Sequence, residues 1–103
     1  MSRKSVRESL YEQLKAQNKY TAHNIDMVEK YMQLWDLANE LKADIKKKGL
    51  RYTVINGNGF EVEKDNQSVR NFSATIAAMQ NIRQKMRLDD PLPEKESDDS
   101  DYL

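Results

Sequence analysis

The stretch from Tyr31 to Phe72 constrains this fold more than any other, because it marks where one element stops and the next begins. A long helical pattern runs into Asp44-Ile45-Lys46-Lys47-Lys48-Gly49-Leu50. Gly49 suits the left-handed backbone that closes a helix, and the cap predicts that Leu50 folds back on Ile45. Next come Arg51-Tyr52-Thr53-Val54-Ile55, then Asn56-Gly57-Asn58-Gly59, then Phe60-Glu61-Val62-Glu63-Lys64. Strand formers on both sides of a strong turn signal predict a β-hairpin over residues 51–63. A second helix opens at Asp65-Asn66-Gln67-Ser68, with Asp65 or Asn66 as its cap.

The doubled Asn-Gly leaves the hairpin register open. A loop centred on Gly57-Asn58 pairs Ile55 with Phe60 and Thr53 with Val62. That arrangement gathers these four residues on one face and puts Val54 and Glu61 on the other. A two-stranded hairpin is marginal alone, so it is expected to pack on a helix or pair with another chain.

The helix before the hairpin is read over residues 24–48, about 37 Å long, capped by Thr21 or Asn24. Ile25, Val28, Met32 and Trp35 start an apolar stripe, which Leu34, Leu37, Ala38, Leu41 and Ile45 continue with a drift around the helix. That surface is wider than one antiparallel neighbour covers. Lys46, Lys47 and Lys48 complement the negative end of the helix dipole, a sufficient structural reason for them; phosphate contact is the alternative. The helix after the hairpin is read over residues 67–87. Val69, Phe72, Ile76, Met79, Arg83 and Met86 form a heptad-like seam broken at Arg83, beside the small run Ser73 to Ala78. Upstream, a helix over residues 6–18 is expected, opened by a Ser5/Glu8 capping box and striped by Val6, Leu10 and Leu14. Residues 17–21 read as a break.

The fold class is therefore mainly α: a short N-terminal helix, then two long antiparallel helices joined by a β-hairpin. At 103 residues it is one domain, spanning 1–88, with a disordered acidic tail over 89–103. Seven acids against Lys95 alone give the last fifteen residues a net charge of −6; sixteen bases against ten acids leave +6 on residues 1–88. Such asymmetry marks separate interaction regions. There is no cysteine, which removes disulfides and thiol chemistry. No apolar leader and no run of about 20 apolar residues is present, so a soluble intracellular protein is expected.

Catalytic patterns fail one by one. His23 is the single histidine; it reads as an exposed neighbour of a helix start, and the usual zinc sites are excluded. No serine has a histidine partner or a nucleophile elbow. Asn56 to Gly59 lacks the Gly-Lys-Ser/Thr ending of a phosphate loop and reads as a turn. Asp26 with Glu29, and Glu40 with Asp44, read as solvated helix faces. No enzyme, cofactor or metal is expected. Nucleic acid is the remaining possibility: five bases against two acids give residues 1–20 a charge of +3. Lys4, Arg7 and Lys15 lie off the apolar stripe, free to meet phosphates with salt-sensitive, sequence-independent affinity.

Several segments resemble the small subunit of the bacteriophage terminase. They are Ser9 to Leu14, Val28 to Trp35, Leu41 with Asp44 to Tyr52, and Asn56 to Lys64 with Asn66, Ser68 and Val69. The resemblance covers roughly residues 5–88. It implies a ring-forming homo-oligomer in the host cytoplasm that recognises double-stranded viral DNA and loads the large subunit, which carries the ATPase and nuclease. Carried onto this chain, it implies DNA contact by Arg3, Lys4, Arg7, Lys15 and Lys19, then Lys46, Lys47, Lys48 and Arg51. Val28, Met32, Trp35, Leu41, Ile45, Val69, Phe72, Ile76, Met79 and Met86 become core or subunit interface. Leu92, Tyr102 and Leu103 become the candidate docking point for the large subunit. The alternative is a helical phage or prophage adaptor, or an antitoxin-like regulator, that does not bind DNA.

Overall fold

A computed structural model describes residues 2–93. The order of elements is α1 (Arg3–Ala16), α2 (Ala22–Lys48), β1 (Arg51–Ile55), β2 (Glu61–Asp65) and α3 (Gln67–Met86). The mainly helical class with a hairpin between the two long helices is as expected. Tyr102 and Leu103, with most of the acidic tail, lie outside the described residues. The chain divides into two compact units, one of residues up to Met32 with those from Ile82 onward, the other Gln33–Asn81.

In the first unit α1 begins a turn earlier than its sequence suggests. Ser2 is the N-cap, and its hydroxyl accepts from the Ser5 N–H at 3.1 Å. The expected Ser5/Glu8 box is displaced, because Ser2 offers the same chemistry one turn upstream and lengthens the helix. The break after Ala16 is built by a Schellman closure. Asn18 takes φ +58°, Lys19 N–H reaches Leu14 C=O at 2.8 Å and Asn18 N–H reaches Lys15 C=O at 3.1 Å. Of the two candidate caps for α2, Thr21 is used, its Oγ1 accepting from Asn24 N–H at 3.4 Å. Asn24 instead turns its amide back to Lys19 C=O at 2.8 Å. The buried apolar residues here are Leu10, Leu14, Met27, Val28, Met32, Met86 and Leu88. Gln17 is buried with them and donates from Nε2 to Leu88 C=O at 2.7 Å and Asp90 C=O at 3.0 Å. The start of the C-terminal segment is thereby fixed as far as Asp90, with Leu88 in the core.

In the second unit α2 ends as expected at Gly49, φ +78°, whose N–H reaches Ile45 C=O at 2.7 Å. This single-bond left-handed cap differs from the Schellman form, and it does not call for the Leu50–Ile45 contact of that form. Leu50 is accordingly 69% exposed. Its carbonyl accepts from Asn66 N–H at 2.8 Å. Of the two candidate caps for α3, Asn66 is used: Oδ1 accepts from Ser68 N–H at 3.0 Å, and Nδ2 donates to Gly49 C=O at 2.9 Å. One buried side chain thus satisfies the end of α2 and the start of α3. Ser68 also donates to Asp44. A groove lined by Leu34, Leu37 and Leu41 on α2 and by Asn71, Ala74, Thr75 and Ala78 on α3 shows that α3 returns along α2 in this unit. Trp35, Leu41, Ile45, Phe72 and Ile76 are half-buried, Ala38 and Met79 are buried, and Val69 is exposed.

The hairpin register corrects the pairing set out above. Val54 pairs with Val62, Ile55 with Glu61, and Thr53 with Glu63. The loop has three residues, not two. Gly59 N–H bonds Asn56 C=O at 3.0 Å, Gly59 takes φ +83°, and Asn56 N–H closes on Phe60 C=O at 2.9 Å. This is a type I turn with a glycine bulge, which shifts the partner strand by one residue. Tyr52, Val54 and Val62 therefore share the half-buried face, while Thr53, Ile55, Glu61 and Glu63 face outward.

Candidate nucleic-acid interface

The basic residues divide by how far the fold has already used their charge. On α1, Lys4 is 84% exposed and only brushes Glu8 at 3.9 Å. Arg3 is exposed one residue earlier. Lys15 faces outward, 3.9 Å from Glu12 and over the Tyr20 ring at 4.9 Å. Pairs this exposed contribute little and yield readily to another anion.

Arg7 and Lys19 are held. Arg7 bonds Glu29 through Nε at 2.9 Å and through Nη2 at 3.4 Å, and it lies 5.1 Å over the Tyr11 ring. Tyr11 donates its hydroxyl to the same carboxylate. The Arg7 bond first, and the Tyr11 bond second, hold the Glu29 carboxyl below its ordinary range. Burial, then the bond to Glu29, raise the Tyr11 hydroxyl. Glu29 is thus no solvated face residue, whereas Asp26 is, paired at 3.1 Å with exposed Lys30. Lys19, 27% exposed, donates to Arg87 C=O at 2.8 Å and to Asp90 at 3.2 Å. Arg87 itself sits at φ +55° and bonds Asp90 at 3.1 Å, so Lys19 secures a strained corner.

In the second unit, Lys46 and Lys47 are exposed. Lys48 pairs with Asp44 at 3.5 Å and lies 5.5 Å over the Tyr52 ring. The Ser68 hydrogen bond is the first cause of a lowered Asp44 carboxyl, so this acid too is more than a solvated face. Arg51 is bracketed by Glu63 at 3.3 Å and Asp65 at 3.1 Å. Leu92 is exposed, and His23 is exposed beside the α2 start.

Among the described residues no group of three His, Cys, Asp or Glu could hold a metal ion, and no helix is long and apolar enough to cross a membrane. The arrangement offers single cationic donors on exposed helix surface, which suits phosphate contact without base readout. Sequence reading missed Tyr11, Gln17 and Glu29 as organising groups, and it named Asn66 as a cap without its bond to Gly49 C=O. The three missed residues carry no local signal, because their partners are distant in sequence.

The sequence pattern of one family, described as phage terminase, small subunit, matches residues 4–90. No curated protein and no solved structure matches the chain.

Proposed function

The chain belongs to the phage terminase small-subunit family, and on that premise we propose that it is the oligomeric component that recognises viral DNA and loads the large subunit in the host cytoplasm. Small subunits of this family are non-catalytic DNA-recognition components of genome packaging. The family match over residues 4–90 is the observation that carries the reading.

The N-terminal helix is the leading DNA surface, through Arg3, Lys4 and Lys15, with Lys46, Lys47 and Lys48 second. Arg7 and Lys19 meet phosphate only by exchanging a carboxylate partner, so they contribute chiefly by holding the surface in place, whereas Arg51, whose pairs are exposed, joins the second group. The apolar groove of α2 and α3, with Leu37 41% exposed, supports subunit contact along these helices in a ring. Exposed Leu92, together with Tyr102 and Leu103, is the proposed docking point for the large subunit.

The test reverses Arg3 and Lys4 to Glu in the full chain and spares Arg7, whose reversal would set two carboxylates together at Glu29. Duplex binding should weaken strongly at low salt, and the slope of log K against log salt should fall by about 2, roughly one per lost phosphate contact. Unchanged affinity and slope would remove this surface. Absence of binding in the parent chain would favour the DNA-free adaptor.

A further inference from the structure

The hairpin carries an apolar knob at its tip and the molecule carries a matching recess at its base. At the tip, Ile55 is 72% exposed and Phe60 69% exposed. The knob is pre-formed, because Asn56 Oδ1 accepts from both Asn58 N–H at 3.0 Å and Phe60 N–H at 3.1 Å. A pre-ordered loop loses little entropy on docking. The recess, about 340 Å³, includes Leu50, Val69 and Arg70. Leu50 and Val69 are themselves exposed apolar side chains.

Charge matches shape. Glu61 follows Phe60 and pairs across the strands with Ile55, and it is exposed. Arg70 follows Val69 and is likewise exposed. An acid flanks the knob, and the recess is lined by Arg51 and Arg70 against the single acid Asp65, which Arg51 pairs at 3.1 Å.

We propose that the hairpin tip of one copy seats in the Leu50–Val69–Arg70 recess of the next, with Phe60 as the anchor and Glu61 facing Arg70. This rests on the oligomeric reading above and adds a second contact to the one along the α2–α3 groove. Knob and recess lie on different parts of one chain, so the contact is head-to-tail. Repeated contacts of that kind close into a ring when the rotation permits. A central aromatic anchor with a flanking opposite-charge pair is how such interfaces gain strength and register.

The experiment measures native mass of the full chain across the micromolar range. The parent chain should give a discrete oligomer. Phe60→Ser should raise the concentration of half-assembly by about 30-fold, the equivalent of about 2 kcal/mol for a buried anchor. Its circular dichroism and urea midpoint, compared on monomer, should match the parent, since the exposed ring fills no cavity. Glu61→Arg and Arg70→Glu should each weaken assembly by about tenfold or more, and the double reversal should restore it. A monomeric parent chain would overturn the oligomeric reading and this contact with it. A parent oligomer that survives Phe60→Ser and both single reversals would overturn this contact alone, leaving the ring to other surfaces and the tip to another partner. Single reversals that break assembly without rescue by the pair would overturn the Glu61–Arg70 pairing.

Discussion

Asn66→Ala should be the most damaging polar substitution in the second unit. The amide Oδ1 caps α3 through Ser68 N–H, and Nδ2 satisfies Gly49 C=O at the end of α2. Losing a helix cap costs about 1 kcal/mol. Leaving a part-buried carbonyl without its donor adds about 1–3 kcal/mol. The backbone bond from Asn66 N–H to Leu50 C=O survives the substitution. The expected loss is therefore about 2–4 kcal/mol. Asn66→Asp separates the two parts, because it keeps the capping oxygen and places acid favourably at the helix start while removing the donor. It should recover the capping part only. Urea denaturation at fixed protein concentration measures both, with an unchanged m-value confirming that stability alone has moved. A loss below about 0.5 kcal/mol for Asn66→Ala, within the range of an ordinary surface change, would refute the claim that this side chain joins the two helix ends.

Two glycines of one loop should respond differently. Gly59 has φ +83° and Gly57 does not have positive φ, and a Cβ at either meets nothing within 4 Å. Gly59→Ala should cost about 1–2 kcal/mol and Gly57→Ala close to none by urea denaturation; equal effects would argue against the bulged turn. A third prediction concerns pH. Glu29 is lowered in the folded state, so its contribution is present above the ordinary Glu range and is lost as pH falls through the lowered value. Urea midpoints of the parent and Glu29→Gln should differ at neutral pH and converge in acid; a gap constant with pH would refute the Arg7–Glu29–Tyr11 assignment.

What the sequence made legible was local. Gly49 marked the end of α2, Asn-Gly marked the hairpin, and the Asp65-Asn66 pair marked the start of α3. The hairpin register was not legible, because Asn56-Gly57-Asn58-Gly59 satisfies a two-residue turn and a three-residue bulged turn equally. Only the positive φ at Gly59 separates them. The start of α1 was misplaced because Ser2 and Ser5 are both competent caps. The remaining organisation is non-local and has no period to detect. Arg7 meets Glu29 across 22 positions, and Gln17 meets Leu88 across 71. The same blindness affected the candidate interface. A count of bases gave α1 a simple positive face, whereas carboxylates from elsewhere in the chain occupy Arg7 and Lys19. Lys4 and Lys15 were distinguished from them only by the fold.

The most direct test is a titration of the full chain into labelled duplex DNA from about 50 to about 200 mM salt. The account predicts binding at the low end, with log K falling linearly against log salt at a slope of several phosphate contacts. A folded chain that leaves the duplex free at about 50 mM salt would contradict it.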